Sequence, residues 1–568
     1  MDLSRAIILK DSSEKIDFEK HFKLCAGPGA GKTTFIINHI YNIINNSKRI
    51  SKVRKIACIT YTNIAVDTIK KRLENSIDYV EVNTIHSFLY KNVVKPYLWA
   101  LKDEYEFDYE KIDGHDEIIP TYSILKEWKD KTNQWKSLKD DKAVVKALIN
   151  MKWKMNGSNI SLEIPSKYML NKGYNIRKSS YIEYKKVCWK RGMISHDDVL
   201  YLSYKIIEKQ PRVCDILRAK FPYIIIDEFQ DTNPIQTKIL KNIAKEESVL
   251  GVIGDVCQSI YSFQGATVEE FDKFKLKNMN LFKIENNYRS TQEIIDVLNM
   301  IRNESDFNQI SVEGKRGEKP YILVGDFIVA YNKAVEISKN EKVYSLAYKK
   351  ETVNKIKYNF TDGYDENILL YFMLSDNERG KMIVNIIYSL EYCRQNKIKE
   401  AIKFMKKAYR KISCFDDKDV LLNLHRLINN YDTISELNIK EFYNIFIYGF
   451  YNVSKKISNR GDKSTYYENL KYKTVAISID LSDDNSISKT IHKAKGAEYD
   501  NVFVCTNLVE KFDEDNDLSF LINPDMKKEA DRVYYVAMSR AKKRLFINVP
   551  DLSQKNLKKL EKFNIIYL

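Results

Sequence analysis

A chain of 568 residues is too long for one hydrophobic core, so several domains of ordinary size are expected. Its 44% hydrophobic content is that of a soluble globular protein, and runs such as 368–374 are far shorter than the roughly 20 apolar residues a membrane span needs. A formal charge of +16, from 93 basic and 77 acidic residues, suits a polyanionic partner such as nucleic acid, although a Lys-rich composition alone would give the same excess.

The chain starts with MDLSRAIILKDSSEK, which lacks the apolar core and small-residue cleavage site of a signal peptide. Cys25, Cys58, Cys188, Cys214, Cys257, Cys393, Cys414 and Cys505 are scattered, with no CxxC pair and no histidine at ligand spacing. That pattern argues against a disulfide framework and against a zinc or iron–sulfur site. A reduced, cytoplasmic protein without a membrane partner is expected.

HFKLC reads as a short strand, AGPGAGKTT (Ala26–Thr34) as a glycine-rich loop, and FIINHIYNII as a helix by its periodicity. Strand, loop and helix in this order make a phosphate cradle at a helix N-terminus. Gly27, Gly29 and Gly31 let backbone N–H groups close around phosphate, Lys32 supplies charge to the β/γ-phosphates, and Thr33 supplies a hydroxyl for Mg²⁺. The strict G-x-x-x-x-G-K-[ST] pattern is not met, because Ala26 holds its first position. Downstream, FPYIIIDEFQD is an apolar run ending in carboxylates, as when a buried parallel strand delivers acids to a sheet's C-terminal edge. Asp227 would hold Mg²⁺ through water and Glu228 would polarise the attacking water, the alternative being a surface acidic turn. VLGVIGDVCQSIYSFQGA again runs from strand into polar loop, where Gln258 would sense the γ-phosphate or orient water. Arg289 in IENNYRST and Arg540 in AMSRAKKRL are candidates to neutralise transition-state charge.

Eight stretches stand in a fixed order: AGPGAGKTT, ITYTNIAVDTIKKRL, NTIHSF, DEFQDTN, GDVCQSIYSFQGA, NNYRST, TIHKAKGAEYDNV and YVAMSRAKKRL. With them the chain resembles superfamily 1 helicases of the UvrD/PcrA/Rep type over nearly its whole length. The resemblance implies an α/β fold of two RecA-like P-loop domains, each with a mainly helical insertion, and ATP with Mg²⁺ in the cleft between them. Residues 1–91 and 205–279 would form the first core and 92–204 its insertion. Residues 280–355 and 466–568 would form the second core, with 356–465 as a short helical insertion. Ala26, Gly27, Pro28, Gly29, Ala30, Gly31, Lys32, Thr33 and Thr34 would line ATP, with Tyr288 stacking on adenine and Glu498 also binding the nucleotide. Thr33 and Asp227 would hold the metal. Asp227, Glu228 and Gln258 would act in hydrolysis, with Arg289 and Arg540 reaching across to the γ-phosphate. Single-stranded DNA would cross both cores over Tyr61, Thr62 and Asn63, then His86 with Phe88, then Tyr261 and Phe263, and His492. For each aromatic, ordinary core packing is the other fate open.

Three departures from the family pattern stand out. Residues 1–25 contain no glutamine, whereas the family reads the adenine edge with one upstream of the P-loop. The family's Trp-Arg pair in the third motif is Phe263-Gln264 here, which loses a cation. The second insertion is short and the chain ends soon after Leu545, so any nuclease activity is expected from a separate protein. Two functions are expected from these features. One is an ATP-dependent 3′-to-5′ helicase or translocase in repair or recombination. The other is a DNA-dependent ATPase subunit that senses DNA or governs a partner nuclease in anti-phage defence. A P-loop ATPase unrelated to nucleic acid is the third possibility, and the strand-path motifs weigh against it.

Overall fold

The computed structural model describes the chain except for residues 1–2, 116, 158, 170–174, 359–367, 369–375, 411–415, 449–454, 459, 480–485 and 507–511. Short runs, largely apolar in the central ones, build its strands. In chain order these are β1 (Ile7–Ile8), β2 (Phe22–Ala26), β3 (Ile56–Thr60), β4 (Val80–Thr84), β5 (Lys152–Asn156), β6 (Asn159–Glu163), β7 (Tyr223–Ile226), β8 (Val249–Gly254) and β9 (Asn280–Ile284). The remaining strands are β10 (Asn286–Asn287), β11 (Ile310–Ser311), β12 (Tyr321–Val324), β13 (Val343–Ala347), β14 (Ser488–Thr490), β15 (Tyr499–Cys505), β16 (Ala541–Val549) and β17 (Asn564–Tyr567).

Two parallel sheets carry the molecule. The first has the order β1-β9-β2-β8-β7-β3-β4 and the second β14-β13-β15-β16-β12-β17, every pairing in both being parallel. The central strands β2, β3, β7 and β8 are buried along their whole length, which is why β7 and β8 read as continuous runs without polar alternation. Helices that contain or adjoin motif stretches include α1 (Lys32–Asn46), α2 (Asn63–Leu73), α3 (Gln292–Arg302) and α4 (Glu529–Met538). Helices α3 and α4 bury Ile294, Val297, Leu298, Val533 and Val536 in the second sheet's core.

Strand β9 corrects one expected boundary. The sequence places it with the second core, yet it pairs with β1 and β2 in the first sheet. The boundaries expected at 204/205, 355/356 and 465/466 each fall inside a helix: His196–Lys209, Lys350–Tyr358 and Asp462–Glu468. The first of these helices continues through its junction because its apolar face packs on both sides of it. Val199, Leu202 and Ile206, for example, join the first sheet's core.

Each expected insertion has its own core. In the first, Trp128, Val144, Tyr184 and Val187 pack together beside the antiparallel hairpin β5–β6. Trp153 ties that hairpin down by stacking on Tyr201 at 3.6 Å and donating its indole N–H to Asp198 at 3.0 Å. In the second, helices Asn377–Arg394, Ile398–Ala408 and Asp417–Asn429 surround Ile387, Leu390, Met405 and Leu424. No described helix is long and apolar enough to cross a membrane.

Candidate nucleotide site and strand path

The C-terminal ends of β2, β7 and β8 converge, as parallel topology requires. β2 runs into the loop 27–31, where Gly29 and Gly31 hold φ of 74° and 79°, a region glycine enters without a Cβ penalty. The loop then enters α1, whose first residues are Lys32, Thr33 and Thr34. Lys32 Nζ donates to the carbonyls of Ala26 (3.2 Å) and Gly27 (3.4 Å), so the cation lies folded along the loop. Ala30 is buried beneath it, and Tyr288, whose N–H donates to Gly29 O at 2.8 Å, stands at the loop's rim, partly exposed.

Asp227 and Glu228 leave β7 side by side. Glu228 sits at φ 52°, ψ 39°, a left-handed conformation costly for a non-glycine residue and common where side-chain aim matters. Burial and the adjoining Glu228 carboxylate push Asp227 well above the ordinary carboxylate range. Burial works against ionised Glu228 as well, but Lys32, Lys495 and Arg540 together hold it below that range. Lys32 and Lys495 act on Asp227 as well, but burial outweighs them there. A cation bound beside Asp227 would reverse that shift.

Two arginines close the other side. Arg540 is 2% exposed, and its guanidinium donates to Val536 O (3.0 Å), Ser539 Oγ (2.9 Å) and Gln258 Oε1 (3.2 Å). Burial and the neighbouring Arg289 cation push its pKa down to about 9. Arg289 donates to Ser539 O at 2.8 Å and to Glu498 at 2.7 Å, while its Nε is buried without a partner. Glu498 thus stands as the acid that orients Arg289, and it also meets Lys542 at 3.4 Å. Gln258 is likewise fixed, its Nε2 donating to Asp255 at 2.8 Å.

Several residues given no role in the sequence reading complete this network. Gln230, fully buried, donates to Glu228 at 2.5 Å and accepts from the Asp255 N–H at 3.0 Å. Asp255 binds Arg302 at 2.8 Å in a buried ion pair. Lys495 of the TIHKAKG stretch reaches from the second sheet to Asp231 on the first and donates to Gln258 O at 2.8 Å. Gln230, Asp231 and Lys495 stand within the motif stretches, so their positions are visible there; Arg302 lies outside every motif and gives no signal.

Of the residues expected on the strand path, Tyr61, Tyr261, Phe263 and His492 gather together. Tyr61 follows β3, stacks on Tyr261 at 4.8 Å and donates its hydroxyl to Gln264 Oε1. Phe263 is 58% exposed, 5.8 Å from Tyr261 and 5.4 Å from the His492 ring. Tyr348, also without a role in the sequence reading, stacks on His492 from the far side at 5.9 Å. His492 Nε2 donates to Ile260 O (3.1 Å), and burial lowers its pKa. Tyr261 is 8% exposed and packs as a core aromatic, its hydroxyl on His492 O at 3.4 Å. Thr62 caps α2 by accepting from Ala65 N at 3.2 Å, and Asn63 opens that helix, exposed. His86 lies apart from this row, its ring 5.8 Å from His196, which meets His115 at 2.7 Å. Burial and those two histidines lower His86 to about 3. Phe88 is fully buried against Phe221 and is a core residue.

Two parallel sheets, a phosphate loop and a cleft lined with acids facing arginines define a P-loop ATPase with two RecA-like cores. Its first part matches the UvrD/REP helicase N-terminal domain over residues 10–279, and its second the UvrD-like helicase C-terminal domain over residues 332–550. The chain belongs to the UvrD-like helicase family. It is 25% identical to a probable DNA helicase II homolog of Mycoplasma capricolum, covering 94% of this chain and 82% of that one. It is 24% identical to the ATP-dependent DNA helicase Rep of Buchnera aphidicola, covering 92% and 91%. Over 53% of its length it is 30% identical to the Gabija protein GajB of Bacillus cereus, 49% of which is covered.

Proposed function

We propose that the chain is an ATP-dependent DNA translocase and helicase that moves 3′-to-5′ on single strands. The observation that carries this reading is one loop with two duties. Gln258 accepts from Arg540 in the cleft, while Phe263, in the same Gly254–Gly265 stretch, stands exposed in the aromatic row. A change in the cleft is therefore coupled through a few residues to the surface that would stack on bases. Lys32, Thr33 and the loop amides would hold the triphosphate, and Glu228 would take the proton of the attacking water. Arg289 and Arg540 would meet the charge that develops in phosphoryl transfer. A Mg²⁺ ion held by Thr33 and Asp227 would supply charge neutralisation there.

A second reading is a DNA-dependent ATPase subunit that senses DNA and governs a separate nuclease in phage defence. The Tyr61–Gln264 hydrogen bond favours it, because the third motif here spends its polar group inside the protein instead of offering a cation to phosphate. The two readings part in one experiment. Streptavidin displacement from biotinylated single strands is compared with unwinding of a 3′-tailed duplex by the isolated chain, at matched ATP turnover. Displacement with robust unwinding supports the helicase; displacement with little unwinding supports the partner-dependent subunit. Neither activity, in a chain that hydrolyses ATP, would refute the motor.

A further inference from the structure

The phosphate loop is gripped from outside every motif by Gln309. This residue lies between α3 and β11 and is 2% exposed. Its Nε2 donates to Pro28 O at 3.0 Å, and a Cβ placed on Gly27 would lie 2.7 Å from its amide carbon. The same Pro28 carbonyl accepts a second amide, Asn287 Nδ2, at 2.9 Å. Behind Gln309, Asn299 of α3 holds its backbone from both sides, Oδ1 accepting from Gln309 N at 3.0 Å and Nδ2 donating to Gln309 O at 2.9 Å. Helix α3 is in turn rooted in the second core by Ile294, Val297, Leu298 and Ile301. A continuous path therefore runs from the second core through Asn299 and Gln309 to one carbonyl of the loop.

That carbonyl has leverage. A trans peptide is planar, so fixing the direction of Pro28 O fixes the Gly29 N–H in the opposite direction. The amide has only one useful orientation, because turning it would set Oε1 against the Pro28 oxygen. In the orientation seen, Oε1 is buried without a partner, a cost the packing at Gly27 and the Asn299 pair must offset. We propose that Gln309 is a positioning residue for hydrolysis, a strut through which the second core sets the Pro28–Gly29 peptide and hence the phosphate cradle. Its link to DNA rests on the translocase reading, since strand binding across both cores would move α3 and with it the loop.

The test uses the full chain with Gln309→Met, Gln309→Glu and Asn299→Ser. Affinity for a fluorescent ATP analogue without DNA and the ratio of turnover with and without oligo-dT are measured beside the melting temperature. Gln309→Met is expected to weaken nucleotide binding about tenfold, the worth of one well-placed hydrogen bond. Gln309→Glu should weaken it more, because a carboxylate would face Pro28 O. Asn299→Ser should reproduce part of the loss and be non-additive with Gln309→Met, since both cut one path. The DNA-stimulation ratio should fall along with affinity. Unchanged affinity in Gln309→Met and Asn299→Ser at unchanged melting temperature overturns the strut. Additive losses from the two sites overturn it too. A wild type that DNA fails to stimulate counts against the helicase reading, while the affinity arm still decides the strut.

Discussion

The cleft and the proposed strand path sit on the same loops yet are built on opposite principles. In the cleft the charged groups are held by fixed partners: Glu228 by Gln230, Arg540 by Gln258 and Ser539, Asp231 by Lys495. Along the strand path the groups are rings, from buried Tyr261 to Phe263 at 58% exposure, held by stacking and single hydrogen bonds. Fixed dipoles in a dry site stabilise developing charge without reorganising at the moment of reaction. A strand that must slide needs contacts indifferent to base identity, which π-faces provide. Substitutions should therefore be tolerated along the strand path and punished in the cleft.

The largest effects should come from breaking the fixed side. Arg540→Ala is expected to lower ATP turnover by roughly 10³- to 10⁵-fold with the fold retained, judged by turnover alongside circular dichroism. Near-normal rates would mean that Arg540 serves packing alone. Glu228→Gln should cost about 10²- to 10⁴-fold in kcat while nucleotide still binds, because shape survives and the base does not. Wild-type-like turnover there would remove the base assignment. Lys495→Met strands Asp231 as a buried, unpaired acid and should destabilise the closed arrangement by about 3–5 kcal/mol. Adding Asp231→Leu should recover most of that loss in thermal melts, and a double variant no better than the single would refute the pairing. The smallest effect belongs to the tolerant side. Phe263→Ala should weaken oligo-dT binding by about 1–3 kcal/mol and leave nucleotide affinity without DNA as it was. An unaltered oligo-dT titration would take Phe263 off the strand path.

The parts legible in the sequence are those where spacing alone dictates geometry. Gly29, Gly31 and Lys32 are close neighbours in the loop, and Asp227 with Glu228 end an apolar strand, so order in the chain places them. Residues that act by partnership are not legible. Nothing in the sequence says that Glu498 takes Arg289, that Gln264 takes the Tyr61 hydroxyl, or that Tyr348 faces His492, since each pair joins distant segments. Strand β9 misleads for a related reason: it opens the NNYRST region yet hydrogen-bonds back to β2, and hydrogen-bonded edges are not written in a local pattern. Gln309 lies in no motif and is defined only by what it touches.

If cleft and strand path form one coupled device through the Gln258–Phe263 loop, DNA must change the rate of hydrolysis. The decisive measurement is steady-state ATP hydrolysis by the wild-type chain with and without oligo-dT, repeated over a salt series. Stimulation of at least about tenfold is expected at low salt, within the range of a 1–3 kcal/mol coupling. That stimulation should decline steeply as salt competes for the phosphates. Turnover that is the same with and without the strand, while oligo-dT demonstrably binds, would contradict the coupling.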